Sequence, residues 1–317
     1  MLQITSSLIA GLPNGYPSTP MRGVSGNVDM PLVGLGTWQY NSTVAAAAVK
    51  AAFSIGYRHV DTALEYKDQV GVGKALAESG VPRSEYFVTS KIPGAVNASA
   101  AATTAALDLS LKQLGLAQVD LMLIHWPGKD KASRKAQWLA LEVWARQGKA
   151  RAIGISHFCK IHLQEVLEIA TLPVALNQNQ YHVGMHGDTQ PRLHDKAFNE
   201  AHGVVYMAYS SLCGPCDPPA NKELISGPLV TEIGKAHNKS GPAVALRWIV
   251  QQGIPVIPKA SDPAYLKEDF ELFDFELTDA EMARLNAATT PAETGTPAHP
   301  DDAQDCAAEE ALEVVEA

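Results

Sequence analysis

Cysteine is scarce in this chain: four in 317 residues, unevenly spaced. That excludes a small secreted fold stapled by disulfides, and the sparse thiols suit a reducing compartment. No apolar run is long enough to cross a bilayer, and residues 1–10 lack the basic start of a secretory signal. A cytoplasmic location without a membrane partner is therefore expected. Positive charge is also short. Lys and Arg number 25 against 34 Asp and Glu, a net charge of −9, which argues against nucleic acid as a partner. The acidity is concentrated at one end. Residues 301–317 hold seven acids and no base, so the rest of the chain is near neutrality. The tail reads as a solvated, frayed terminus with a short helix near residues 307–315. Also missing is a Gly-x-Gly-x-x-Gly after the first strand-like run, the fingerprint of an open dinucleotide-binding sheet.

What is present is a regular alternation. Hydrophobic residues make up 46% of the chain, enough for a sizeable core. Eight apolar strand-like runs, at residues 32–36, 57–61, 86–90, 119–124, 150–155, 173–177, 204–208 and 254–257, are separated by helical patterns. Among the helices, 43–54 is expected to be capped by Ser42, 69–77 to be weakened by Gly71 and Gly73, and 279–287 to be capped by Thr278. The alternation predicts an α/β chain of one domain, a closed (β/α)8 TIM barrel over residues 24–290, since such barrels need about 250 residues. Residues 1–23 read as an N-terminal extension and 291–317 as an acidic C-terminal tail, with a hairpin at 24–30 around Gly26-Asn27. Barrels of this kind gather their functional groups at the C-terminal ends of the strands. Asp61, Lys91, His125, Ser156, Gln178, Tyr209 and Lys259 all fall there.

The segment Gly56-Tyr57-Arg58-His59-Val60-Asp61-Thr62-Ala63-Leu64-Glu65-Tyr66 organises the chemistry. A phenol near pKa 10 is a poor acid at neutral pH, and a nearby cation would stabilise its phenolate. Lys91 after the next strand, with Asp61 as its counter-ion, would supply that cation, and His125 would complete the set. Taken singly, Asp61 with Lys91 also reads as an ordinary strand-end ion pair and His125 as a core histidine.

These residues, with Gly34-Leu35-Gly36-Thr37-Trp38, Thr89-Ser90-Lys91, Ile124-His125-Trp126-Pro127, Gly154-Ile155-Ser156, Asn177-Gln178 and Ile257-Pro258-Lys259, make the chain resemble the aldo-keto reductase family from about residue 30 to 285. The resemblance implies NAD(P)H-dependent reduction of aldehydes or ketones to alcohols, with Tyr66 as proton donor, Lys91 and Asp61 lowering its pKa, and His125 orienting the carbonyl. It puts Ser156 and Gln178 on the nicotinamide carboxamide, Tyr209 on the nicotinamide ring, Ser210 and Leu212 along the pyrophosphate and Lys259 at the 2′-phosphate of NADP(H). Gly36, Thr37, Asp61, His157, Ser261, Tyr265, Glu268 and Asp269 also fall at cofactor positions. His157 stands where relatives usually have Asn. Ala260, Tyr265 and Asp269 replace a Ser, an Arg and an Asn that usually follow the eighth strand, so NAD(H) is expected to be usable as well.

Trp38, Glu65 and Trp126 are the expected substrate wall. Only 31 residues separate His125 from Ser156, so long substrate-gripping insertions are excluded there and an open site for small carbonyls is expected. The chain is read as a monomer without a metal. A catalytically silent cofactor-binding protein on the same fold is the alternative. Cys213-Gly214-Pro215-Cys216 resembles a dithiol motif, but Asp217-Pro218-Pro219 behind it breaks the helix such a motif needs.

Overall fold

The computed structural model describes residues 15–95, 97–185, 196–212 and 222–290. The chain enters through a hairpin of β1 (Ser18–Gly23) and β2 (Gly26–Pro31). Its antiparallel register runs from Ser18 opposite Pro31 to Gly23 opposite Gly26. Gly26, at φ 128°, takes a backbone conformation that side chains resist. The hairpin therefore starts inside the stretch assigned to an extension, and it is longer than the 24–30 expected. Turn chemistry located it, but Pro20 and the polar Thr19 and Arg22 hid the first strand.

Strands and helices then alternate: β3 (Leu35–Gly36), α1 (Ser42–Ile55), β4 (His59–Asp61), α2 (Gln69–Glu78), β5 (Phe87–Ile92), α3 (Ala100–Leu114), β6 (Val119–Ile124), α4 (Lys131–Trp144), β7 (Ala150–Ser156), α5 (Lys160–Leu167), β8 (Leu176–Gln180), α6 (Lys196–Ala201) and β9 (Val205–Tyr209). Among the described residues α7 (Glu223–Ser226), α8 (Pro228–His237), α9 (Gly241–Val250), α10 (Pro263–Phe270) and α11 (Asp279–Asn286) follow. The strands β3 to β9 form one parallel sheet in chain order. The eighth expected strand, 254–257, is reduced to single bridges at Val256, which pairs with Val33 on one side and Ala208 on the other. Those bridges close the sheet, and the fold is a (β/α)8 TIM barrel.

Alternation along the strands sorts the core into two layers. Phe87, Leu121, Leu123, Ala152, Leu176 and Met207 pack inside the barrel, where Met21, Val28 and Met30 of the hairpin join them. Val88, Met122, Ile124, Ile153 and Ile155, one residue out of phase, pack outward with the helices. The hairpin thus plugs one end of the barrel. The other end receives the polar members of the inward rows.

Local devices set the helices. Asn41, not Ser42, caps α1: its side chain accepts from the backbone N–H of Thr43 and Val44 at 3.0 and 2.9 Å. Thr278 caps α11 in a reciprocal arrangement with Glu281. Gly71 and Gly73 serve close packing. A methyl group on Gly71 would lie 1.9 Å from the Ser42 carbonyl oxygen, and one on Gly73 would lie 2.3 Å from that of Leu114. The bare faces of these glycines are what lets α2 sit against its two neighbours. Among the described residues no helix is long and apolar enough to cross a membrane.

Candidate active site

Period-two alternation builds the site from the inward rows. On β5, Phe87 and Thr89 lie below Lys91. On β6, Leu121 and Leu123 lead up to His125, and on β7 Ala152 and Gly154 lead to Ser156. Each row is apolar at the plugged end and polar at the open end. The register places Asp61 beside Thr89, Ser156 beside Gln178 and Gln180 beside Tyr209.

Asp61, Lys91, Tyr66 and His125 come together. Lys91 is fully buried. Its ammonium is ion-paired with Asp61, donates to the Thr62 carbonyl at 3.1 Å and lies 3.3 Å from the Tyr66 hydroxyl. The other oxygen of Asp61 accepts from Gln178 Nε2 at 2.8 Å. Tyr66 ends a short 3-10 turn, Leu64–Tyr66, which Lys67 closes in the left-handed region. The Tyr66 hydroxyl lies 3.5 Å from His125 Nε2.

The electrostatics correct one expectation. The Tyr66 hydroxyl is enclosed, and burial pushes its pKa well above the ordinary tyrosine value. The carboxylates of Asp61, Asp68 and Glu65 push the same way. The net effect at Tyr66 is upward, where a lowering by Lys91 was expected. Tyr66 therefore holds its proton at neutral pH. Burial, and then the Lys91 charge, hold His125 well below the usual histidine range, so its ring is neutral.

Glu65, expected at the substrate wall, reaches His125. Its Oε2 accepts from His125 Nδ1 at 2.9 Å and from Trp126 Nε1 at 3.3 Å. Trp126 in turn stacks on His157, with ring centroids 3.6 Å apart. His157 Nδ1 donates to the His125 carbonyl at 2.9 Å. That proton is therefore spent inside the protein. The Tyr209 ring lies tilted beside that of His157, with centroids 4.7 Å apart. Trp38 is exposed at the mouth.

The positions expected to hold the cofactor divide into two groups. Ser156, Gln178, Tyr209, Ser210 and Leu212 follow β7, β8 and β9. Ser156 Oγ donates to the Gln178 carbonyl at 2.9 Å. Gly36 and Thr37 are buried at the end of β3, with the Thr37 hydroxyl on the Asp61 carbonyl at 3.1 Å. The second group is the loop after the eighth position and α10. There the Lys259 ammonium donates to Gln39 Oε1 at 2.7 Å and lies 5.7 Å from the rings of both Trp38 and Tyr40. Ser261 hydrogen-bonds Tyr40, Tyr265 is 64% exposed and Glu268 is half-buried. Asp262 caps α10, accepting from the Ala264 N–H at 2.7 Å, so its carboxylate is engaged by its own helix. Asp269 is buried. Burial first, and Glu268 second, raise its pKa to about 7.

Among the described residues, Gln39, Lys67, His157 and Ser210, in loops that follow β3, β4, β7 and β9, have positive φ without being glycine. Such backbone costs on the order of 1 kcal/mol each and collects at functional sites. Sequence reading missed Gln39 and Thr62, which act through a side-chain and a backbone oxygen that no motif marks. It also missed the buried layer behind Lys91. There Thr62 donates to Asp68 at 2.7 Å, and Gln69 Nε2 donates to Ser90 and Ser110 at 2.6 and 3.1 Å. The signal available was polar residues at inward positions of α2 and α3. Cys159, just before α5, is disulfide-bonded, which the sparse and unevenly spaced cysteines did not announce. Cys213 and Cys216 lie outside the described residues, and no cluster of metal-ligating side chains occurs among the described ones.

The barrel agrees with what known proteins show. The family model described as "Aldo/keto reductase family" matches residues 32–290. The chain is 40% identical over 261 residues to a glyoxal reductase of Bacillus subtilis, covering 82% of this chain and 89% of that one. It is 36% identical over 278 residues to a morphine 6-dehydrogenase of Pseudomonas putida, covering 86% and 92%. Among solved structures, MGS-M4, an aldo-keto reductase from a Medee basin deep-sea metagenome library, superposes with a TM-score of 0.75 at 34% identity, over 84% of this chain and 94% of that one. On fold and sequence together, the chain belongs to the aldo/keto reductase family.

Proposed function

We propose that this protein reduces small aldehydes or ketones to alcohols with NADPH, accepts NADH as well, and does so as a cytoplasmic monomer. The observation that carries the reading is the Tyr66 hydroxyl, held 3.3 Å from the Lys91 ammonium and 3.5 Å from His125 Nε2 at the open end of the barrel.

The donor set suits a nicotinamide dinucleotide. Tyr209 offers a half-exposed ring, Ser156, Gln178 and Ser210 offer polar groups beside it, and Lys259 offers an exposed cation for a phosphate. When bound, the nicotinamide supplies the hydride. The chain's own residues handle the proton and the geometry. Tyr66, protonated at neutral pH, gives its proton to the carbonyl oxygen as negative charge builds there. Lys91 donates to the phenolate left behind, and Asp61 keeps Lys91 in place with Gln178 bracing the far oxygen. The open mouth, with Trp38 and Trp126 as walls, suits small substrates.

The test is loss of reduced-nicotinamide absorbance with a simple aldehyde, for wild type and Tyr66→Phe. We expect kcat to fall about 10²-fold or more in the variant, the scale of one general acid, with cofactor affinity by fluorescence titration retained. Equal rates would remove Tyr66 from the mechanism.

A further inference from the structure

Asp68 stands where it should cap a helix and does not. It is the residue before α2, and its backbone carbonyl accepts from the N–H groups of Gly71 and Val72 at 2.9 and 3.1 Å. An aspartate at that place ordinarily turns its carboxylate onto the free N–H groups of the first turn. Here the side chain makes no bond to its own helix. It turns into the barrel wall and is fully buried, with its Oδ1 accepting from the Thr62 hydroxyl at 2.7 Å. The Thr37 hydroxyl, already on the Asp61 carbonyl, approaches the same carboxyl. The other oxygen, Oδ2, is enclosed without a hydrogen-bond partner. Burial raises the pKa of the group even though Lys91 is near. A carboxyl enclosed with one oxygen unpaired is unfavourable for the fold. Stability alone does not explain its presence.

Thr62 supplies the explanation. It follows Asp61 at the end of β4 and is tied through all its polar groups. Its N–H donates to the Thr89 carbonyl at 3.0 Å, its hydroxyl donates to Asp68, and its carbonyl accepts from the Lys91 ammonium at 3.1 Å. An ammonium has three donors and no acceptor. Those of Lys91 meet the Asp61 carboxylate, the Thr62 carbonyl and the Tyr66 hydroxyl, the last at 3.3 Å. The three N–H bonds keep a fixed angle to one another, so holding two of them aims the third. Asp61 holds one. The Thr62 carbonyl holds the second, and it keeps its direction only while the threonine stays in place. With a Lys91 N–H on its oxygen, Tyr66 is left to point its own proton away from the lysine. We propose that Asp68 is a positioning residue, which locks Thr62 and through the Thr62 carbonyl aims the remaining N–H of Lys91 at the Tyr66 oxygen. Its kinetic consequence rests on the carbonyl-reductase reading above, but its first test does not.

That first test reads the lysine directly and needs neither cofactor nor turnover. In protein with 15N-labelled lysine, with Lys91→Met used to assign the resonance, the buried Lys91 ammonium should give a slowly exchanging proton–nitrogen signal in wild type. In Asp68→Ala that signal should broaden or vanish as its protons exchange faster. The same should happen in Thr62→Val, which keeps the branched shape and loses the hydroxyl. Asp68→Asn, which retains an oxygen for Thr62, should keep the signal. An unchanged Lys91 signal in Asp68→Ala, or none in wild type, would overturn the proposal whether or not the protein is active. The second test is kinetic, with NADPH and a simple aldehyde. We expect kcat to fall on the order of tenfold in Asp68→Ala and in Thr62→Val, the scale of one lost hydrogen bond to a charged group. The dissociation constant for NADPH, by fluorescence titration, should stay within about twofold, since the loss is confined to the reacting state. The double variant should be no slower than either single one, because both break the same link. Asp68→Asn should recover most of the rate. Losses that add in the double variant, or an asparagine variant as slow as the alanine one, would sink the brace. A drop in cofactor affinity with kcat unchanged would do the same, since a loosened α2 alone would give that. A wild type without activity removes the reductase reading and leaves the lysine signal to decide this one.

Discussion

At the scale of single residues, burial moves the titration of groups at the site, upward for Tyr66 and Asp269 and downward for His125. Asp269 shows the cost. Its carboxyl ionises near pH 4 in an unfolded chain but near 7 in the fold, chiefly because it is buried. Between those values the folded chain keeps a proton that the unfolded chain has lost, so stability falls as pH rises through that window, and the whole penalty is present above pH 7. Asp269→Asn should therefore raise Tm by several degrees at pH 8 and leave it nearly unchanged at pH 4, as thermal unfolding across that range would show. The neighbouring Tyr265 bears on cofactor choice. It is exposed where an arginine fork would suit a phosphate, and Lys259 is partly diverted to Gln39. Tyr265→Arg should tighten NADPH about tenfold or more relative to NADH, since a charged hydrogen bond contributes about 1.5–3 kcal/mol. Parallel titrations with both cofactors would measure it.

At the scale of elements, α2 carries the clearest lesson. Its glycines read as a weakness on propensity grounds, yet each faces a neighbouring carbonyl at a distance no side chain tolerates. Gly71→Ala should lower Tm by a few degrees or more even though alanine is the better helix former. The overlap is with backbone, and overpacking costs about 1–3 kcal/mol; a circular-dichroism melt would detect it. Helix and strand existence was legible because the apolar period changes from 2 to 3.6 again and again along this chain. The inward rows ending in Lys91, His125 and Ser156 were legible because motif order coincided with strand ends. What could not be read was anything decided by an atom at the end of a side chain. Glu65 curling back to His125, His157 facing inward, and Asn41 taking the cap from Ser42 all depend on rotamers chosen by neighbours distant in sequence. The first hairpin strand was hidden because its burial comes from plugging a barrel, which no local pattern announces.

At the scale of the whole molecule, the barrel is uneven around its circumference. Between β5, β6 and β7 the ladders are four or five residues long, whereas β3 pairs with β4 over two and Val256 joins its neighbours through single bridges. At that closure the Gly34 N–H reaches the Val256 carbonyl at 2.9 Å, the Val256 N–H reaches that of Leu32 at 2.8 Å and the Ala208 N–H reaches that of Pro255 at 2.8 Å. Local opening follows the least-bonded path, so these amides should exchange with solvent faster than those of Leu121, Met122 and Ile153, by mass spectrometry or NMR. The same line has Trp38 and Tyr40 on one bank, Lys259 beyond Val256 and Tyr209 on the other bank. A dinucleotide lying across it would act as a suture: protection at Gly34, Val256 and Ala208 would rise on loading while the β5–β7 wall stayed as it was, and the enzyme's slowest-exchanging and most ligand-responsive amides would then mark opposite sides of one barrel.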